Sequence, residues 1–386
     1  MLLLSDALGM TNGISITYRE LFEHWHHRSQ PCELYILGTG FSAERVDKEN
    51  GRFVVLPSRA TLPRRIYPEV PVGVPARAIS RLFEQKRINV IHSASPGPLG
   101  LYGLMYARAK RVPLISSHHT RWSQFGPYLL PPSLLRPANL VVPFLIRRLY
   151  GGSEVTVAHS PAAAIEAAEL GATRTHYAPM GVKLPTSSSS ELRRLRRVAR
   201  RELQEMLGLP EDAPIILCVG RVSKEKDVGL VSEAVASIQE TLVLVGDGPL
   251  RSALKDEPHI RSTGLLYRED LDRAFLAADI MVSACTTDTL GRVFLESLAN
   301  GTPILVPDRG QHLSAIPEQP PAVWTYEWSP TDATNLATAL RSTLASLESG
   351  SNAETAALDL AKTRDWTRVI DSHLEPYHSV ELKQVS

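Results

Sequence analysis

Two acids, Asp288 and Glu296, are separated by seven residues in "TTDTLGRVFLESLANGTP", with Gly291 between them. Asp288 sits in a run of turn formers and Glu296 among Val293, Phe294, Leu295 and Leu298. The pattern predicts a strand "DIMVSA", a loop, a helix over 291–299 stopped by Gly301, and a second strand "PILVPD". A helix starting at Gly291 presents unpaired amides and a partial positive charge, and glycine lets a phosphate approach the backbone closely. A carboxylate nearby can accept from both hydroxyls of a ribose. The same helix also reads as a solvated stripe, because Arg292, Glu296 and Asn300 fall at i, i+4 and i+8. Upstream, "IILCVGRVSKEKDVGLV" ends a buried strand at Gly220 and follows it with Arg221, Lys224 and Lys226. A guanidinium fork and mobile ammonium groups at a strand's carboxyl end suit a diphosphate, although an ordinary charged βα loop looks the same. The Walker pattern is missing, which disfavours a P-loop ATPase.

The elements that must carry these residues are legible as short β-branched runs, each followed by a turn and a helical pattern: "LYILG", "FVVL", "NVIHSA", "PLISS", "VTVAHS", then "IILCVG", "TLVLVGDG", "DIMVSA" and "PILVPD". Alternating strands and helices predict an α/β fold with parallel sheets. At 386 residues, two domains are expected. The "KLPTSSSS" stretch reads as a hinge, and Leu192, Leu195, Val198 and Leu203 as the buried face of the helix opening the second domain. The expected domains are 1–185 and 186–365, with 366–386 a helix returning to the first. Two Rossmann-like domains facing a cleft would place ligands at the carboxyl ends of their strands.

Basic and acidic residues nearly balance, 42 against 41, so global charge gives no argument for nucleic acid. Cys32, Cys218 and Cys285 are scattered and lack metal-ligand spacing, which suits a reducing compartment. "MLLLSDA" is too short for a signal peptide, and the apolar stretch "ANLVVPFLIRRLY" is interrupted by Pro143 and ends in Arg147 and Arg148. A cytoplasmic protein, soluble or peripheral on the inner membrane face, is expected.

In the first domain Gly13 follows strand one, where a tight turn or a close approach to a ligand is needed, with Asn12 and Ser15 beside it. His118 and His119 follow "VPLIS" and read as a metal or acid/base pair, or as histidines satisfying backbone groups; no acid at ligand spacing supports a metal. His24, His26 and His27 around Trp25 read as a helix end on the surface. Trp122, Phe125, Tyr128, Leu129 and Leu130, with "PPSLLRPANLVVPFLIRRLYGG", form an apolar stretch among Arg121, Arg136, Arg147 and Arg148. Arginines beside exposed apolar groups suit an anionic membrane surface or lipid acceptor. A core helix with one basic end fits equally.

The ordered set "TNGIS", "LPSRATLPRRIYPEVPVGVP", "IHSASPGPLGLYGL", "PLISSHHTRWSQFGPYL", "HYAPMGVK", "GRVSKEK", "LVGDGP", "FLAADIMVSA", "TDTLGRVFLESLANGTPIL" and the late Trp366 resembles the retaining glycosyltransferases of GT-B architecture, group 1 or family 4. Within that group the motifs are most similar to sulfolipid synthase-like and phosphatidylinositol mannoside-type enzymes. The resemblance covers nearly the whole chain. It implies that a UDP- or GDP-hexose is the donor, that Arg221 and Lys226 hold its diphosphate, and that Glu296 binds the ribose diol. It implies that amides around Leu290 and Gly291 meet the sugar and β-phosphate, that Gly13 lies under the phosphates, and that His119 touches the hexose near its anomeric carbon. Asp288 stands where the family usually has glutamate, so its contact with a hexose hydroxyl starts from a shorter arm. The implied reaction retains configuration and uses no cofactor and no essential metal. Arg221→Ala and Lys226→Ala are expected to lose turnover with the fold intact. Rival readings are a soluble acceptor, a sugar-nucleotide epimerase of the same architecture, and a non-catalytic sugar-nucleotide-binding protein.

Overall fold

The computed structural model describes residues 1–9, 12–26, 33–58, 60, 73–119 and 121–385. Most of "LPSRATLPRRIYPEVPVGVP", together with His27, Cys32 and the side chains of His26, Phe125 and Leu129, lies outside the described residues. The chain forms two compact units, Met1–Gly181 with Trp366–Ser386, and Val182–Asp365.

The first unit alternates β1 (Leu2–Gly9), α1 (Gly13–His26), β2 (Leu34–Gly40), β3 (Glu44–Lys48), β4 (Gly51–Pro57), α2 (Ala76–Gln85), β5 (Ile91–Ser93), α3 (Pro98–Lys110), β6 (Leu114–His118), α4 (Trp122–Leu129), α5 (Pro132–Tyr150), β7 (Val155–Ala158), α6 (Pro161–Glu169) and β8 (Thr175–Tyr177). The second holds α7 (Ser189–Leu207), β9 (Ile216–Val219), α8 (Val228–Ser237), β10 (Leu242–Val245), α9 (Arg251–Leu254), β11 (Ile260–Gly264), α10 (Arg268–Ala277), β12 (Ile280–Val282), α11 (Arg292–Ala299), β13 (Ile304–Pro307), β14 (Val323–Tyr326), α12 (Thr334–Glu348) and α13 (Ala353–Lys362). The last helix, α14 (Trp366–Val385), belongs to the first unit.

The first sheet has the order β3-β4-β2-β1-β5-β6-β7-β8 and is parallel except for β3 against β4. All seven residues of β2 are buried, as helices on both faces require. Charged β3, "ERVDK", blunts the sheet edge. The second sheet is parallel throughout, in the order β11-β10-β9-β12-β13-β14. Two reversals of strand order follow: between β1 and β5 in one unit and between β9 and β12 in the other. Such switch points leave crevices at the strands' carboxyl ends.

Three local expectations need correction. Helix α7 buries Leu192, Ala199 and Leu203 but exposes Val198. Arg196 and Arg200 share the inner side instead, donating to the carbonyls of Ala278, Ala277 and Ala213, with Arg200 2.7 Å from Asp279. Trp25, read as part of a surface helix end, is a core residue beside Phe22, Phe53 and Tyr377. Pro143 does not interrupt α5, which runs from Pro132 to Tyr150 through Pro137 and Pro143. Among the described residues no helix is long and apolar enough to cross a membrane.

Candidate active site

The loop after β9 carries Arg221 and Lys226, and the loop after β12 carries Asp288, so both flank the switch point of the second unit. Gly246, at the end of β10, makes the tight packing behind them feasible: its φ is +139°, and a Cβ there would lie 1.9 Å from the Gly220 carbonyl oxygen. A 3-10 turn over Lys224–Lys226 then lifts Lys226 into the crevice. The second loop is tied to that turn, since Cys285 Sγ and Thr287 Oγ1 both donate to the Glu225 carbonyl, at 3.4 and 3.3 Å. This tie brings Lys226 Nζ within 2.6 and 2.7 Å of the two Asp288 carboxylate oxygens. Gly220, Arg221, Lys226, Ser283, Asp288 and Val293 line one pocket.

Burial opposes both charges of the Lys226–Asp288 pair, yet mutual attraction wins: the Lys226 pKa is raised and that of Asp288 lowered. The pair is therefore fully ionised at neutral pH. Glu225 is the residue that sequence reasoning missed. It is buried, accepts from Ser223 Oγ at 2.6 Å, and lies 3.8 Å from Arg221 Nε, within reach of charge attraction but not of a hydrogen bond. In sequence it is one acid between two lysines, a pattern indistinguishable from a solvated turn. Cys218 lines the pocket and Cys285 lies in the Asp288 loop, and burial pushes both thiols up, Cys218 to about 12. Neither is a nucleophile at neutral pH.

Helix α11 begins behind Gly291, whose φ of +71° is left-handed and whose missing Cβ would lie 2.3 Å from the Phe294 ring. Glycine is thus required locally by backbone and packing, whatever meets the amides. Leu290 and Gly291 are both buried. Glu296 Oε1 accepts from Arg292 Nε at 2.8 Å, as a helical stripe predicts. The stripe is not solvated, because the two side chains keep only 18% and 8% of their exposure. Glu296, Leu290 and Gly291 are not among the residues lining the Arg221 pocket.

In the first unit Gly13 is the exposed first residue of α1, just beyond β1. Asn12 and Ser15 have local work: Asn12 Oδ1 accepts from the Ser15 amide at 2.9 Å, and Ser15 Oγ donates to the Leu8 carbonyl at 2.6 Å. The adjacent histidines separate. His118 is buried and 2.9 Å from Tyr150 Oη, whereas His119 is partly exposed beyond the end of β6, with Nε2 2.9 Å from Tyr18 Oη. Burial lowers the pKa of both rings, so they are neutral at pH 7. Among the described residues no group of three His, Cys, Asp or Glu side chains could hold a metal ion.

Two Rossmann-like units, one with a cationic crevice at its switch point, define the GT-B class of glycosyltransferase. Residues 11–184 match the family model "Glycosyltransferase Family 4" and residues 199–356 match "Glycosyl transferases group 1". The chain belongs to the group 1/family 4 glycosyltransferases. It is similar to a GDP-mannose-dependent alpha-mannosyltransferase of Mycobacterium tuberculosis, at 29% identity over 78% of this chain and 77% of that one. It is similar also to the alpha-monoglucosyldiacylglycerol synthase of Streptococcus pneumoniae, at 27% over 59% and 54%, and to the sulfoquinovosyl transferase of Arabidopsis thaliana, at 28% over 81% and 61%. The matches therefore span between about half and three quarters of the relatives' lengths. Among solved structures, sucrose-phosphate synthase from Thermosynechococcus elongatus superposes with a TM-score of 0.78 at 17% identity, covering 100% of this chain and 99% of that one. Anabaena HepE with UDP and glucose superposes at 0.70 and 17%, covering 98% and 99%.

Proposed function

We propose that the chain is a retaining hexosyltransferase that moves a hexose from a UDP- or GDP-hexose to a hydroxyl of a membrane-associated acceptor, a glycerolipid. The observation that carries the donor half is the convergence of Arg221, Lys226 and Asp288 on one pocket at a switch point. Lys226 directs two N–H groups at Asp288 and keeps a third donor for a phosphate oxygen, while the carboxylate retains lone pairs for a hexose hydroxyl. The pair can thus serve both ligand groups without being broken. It also accounts for aspartate in place of glutamate, since the shorter arm meets the ammonium directly.

In the reaction the bond between the anomeric carbon and the β-phosphate oxygen breaks. The acceptor oxygen bonds to the same face of that carbon, and its proton passes to the leaving diphosphate. Arg221 and Lys226 stabilise the departing charge as fixed groups, and the family resemblance adds the amide end of α11. They supply what a divalent ion supplies in other transferases, so exhaustive chelation is expected to leave activity within about twofold.

The acceptor half rests on α4 and α5. Residues 121–153 contain no acid, and Arg136, Arg147 and Arg148 are exposed beside Tyr128, Leu134, Leu140, Val141 and Phe144. Only the carboxyl-terminal end of α5, with Ile146, Leu149 and Tyr150, is buried. Apolar side chains among arginines fit an anionic bilayer, where the headgroups neutralise the charge and the acyl boundary takes the rings. The relative named alpha-monoglucosyldiacylglycerol synthase supports the same choice. The test is incubation with labelled UDP- and GDP-hexoses and vesicles, followed by analysis of the lipid product and its anomeric configuration. An α-linked glycolipid is expected. An inverted product, hydrolysis alone, epimerised donor, or transfer only to soluble acceptors would contradict the proposal.

A further inference from the structure

A continuous line of hydrogen bonds in the first unit runs between His119 and Tyr377 of α14. His119 Nε2 lies 2.9 Å from Tyr18 Oη, which donates to Ser117 Oγ at 3.0 Å. Ser117 Oγ lies 2.7 Å from His92 Nε2, and His92 Nδ1 lies 2.8 Å from Tyr377 Oη. The members come from α1, β5, β6 and α14, and all but His119 are buried. Each link between neutral hydroxyl and imidazole groups carries one proton, so the protons must all point one way or all the other. Ionisation offers no escape: burial drops the His92 pKa to about 3 and raises that of Tyr18. With Tyr18 donating to Ser117, its oxygen accepts from His119, which places the His119 proton on Nε2. Packing fixes the ring as well. Tyr18 meets it edge-on at 5.6 Å and 86°, and His159 lies against it at 4.8 Å and 30°.

We propose that Tyr18, acting through Ser117 and His92, is a positioning residue that sets which nitrogen of His119 carries the proton. An imidazole of fixed tautomer meets a sugar hydroxyl in one defined role rather than two. This part of the proposal rests on the reading that His119 faces the transferred hexose. Phenylalanine at position 18 keeps the ring and removes only the hydroxyl.

The test combines nitrogen-15 histidine spectra of the full chain with kinetics of glycosyl transfer. The wild type is expected to show His119 as the single Nε2–H tautomer and Tyr18→Phe to show both. The turnover number of Tyr18→Phe should fall about tenfold, the loss of one hydrogen bond's worth, with donor KM within about twofold. His119→Ala should be slower still, and the Tyr18→Phe/His119→Ala double variant no slower than His119→Ala alone. A purely structural Tyr18 would instead give additive losses. If Tyr18→Phe does not fold, Ser117→Ala interrupts the same line one bond further in. Mixed tautomers in the wild type, or an unchanged tautomer and turnover in the variants, would overturn the proposal. If no donor is turned over by the wild type, the glycosyl-transfer reading fails while the spectra still decide the relay.

Discussion

Lys226 and Asp288 are partners before any ligand arrives, and this changes what substitution does. Lys226→Ala leaves a carboxylate with 23% side-chain exposure and no ammonium, so a loss of stability is expected where the sequence alone suggests an intact fold. Removing one partner of a mostly buried pair costs several kcal/mol, and partial exposure discounts this to about 1–3 kcal/mol. Arg221 stands 3.8 Å from Glu225, a looser contact. Arg221→Ala is expected to lose about 10²–10³-fold in turnover with a melting temperature near wild type. Lys226→Ala is expected to lose turnover and melting temperature together. Thermal melts beside steady-state rates separate the two; equal melting temperatures would show that the ion pair contributes nothing to stability.

At the scale of elements, α5 makes the clearest prediction. Leu140 and Phe144 are 78% and 53% exposed, so Leu140→Ser and Phe144→Ser should change stability by no more than about 0.5 kcal/mol. The same variants, and Arg147→Glu with Arg148→Glu, should weaken sedimentation with phosphatidylglycerol vesicles while leaving donor binding intact. Vesicle binding unchanged in all of them would remove this helix from the membrane reading. The parallel sheets and the two strand-end loops were legible because β-branched runs and turn residues are local signals. Less visible were β3, whose charged residues hide its extended form, and the inner side of α7. There Arg196 and Arg200 occupy places that a hydrophobic period assigns to apolar residues, because their groups satisfy carbonyls at the end of α10. Of the candidate site, Arg221, Lys226 and Asp288 are singled out by spacing and family resemblance. Glu225 and the Tyr18 line are not, because each depends on contacts between segments distant in sequence or on burial that a loop composition conceals.

At the scale of the molecule, the first unit is built around neutral histidines. Burial holds His92 at about 3, His159 at about 4 and His373 at about 3, and His159 and His373 stack at 5.5 Å. These values lie below the unfolded value of about 6.5, so the unfolded chain binds more protons and stability rises with pH. The contribution is complete above about pH 6.5 and drains as pH falls toward 4. Three such groups remove about 6 kcal/mol between pH 7 and pH 5, a large part of the 5–15 kcal/mol typical of a folded domain. The melting temperature should therefore drop steeply below about pH 6.5, whereas the Lys226–Asp288 pair, with its depressed carboxyl, weakens only at more acidic pH. A melting temperature flat from pH 7 to pH 5 would contradict the neutral-histidine core.

In the proposed reaction Arg221 and Lys226 grip the diphosphate of a nucleotide sugar in the second unit. Calorimetric titration of UDP- and GDP-hexoses into the wild type and into Arg221→Ala tests it most directly. One of these donors is expected to bind the wild type, and Arg221→Ala to weaken the same donor about 10- to 100-fold, as for loss of a charged hydrogen bond. Equal affinity in the two proteins, or no binding of either donor class to the wild type, would contradict it.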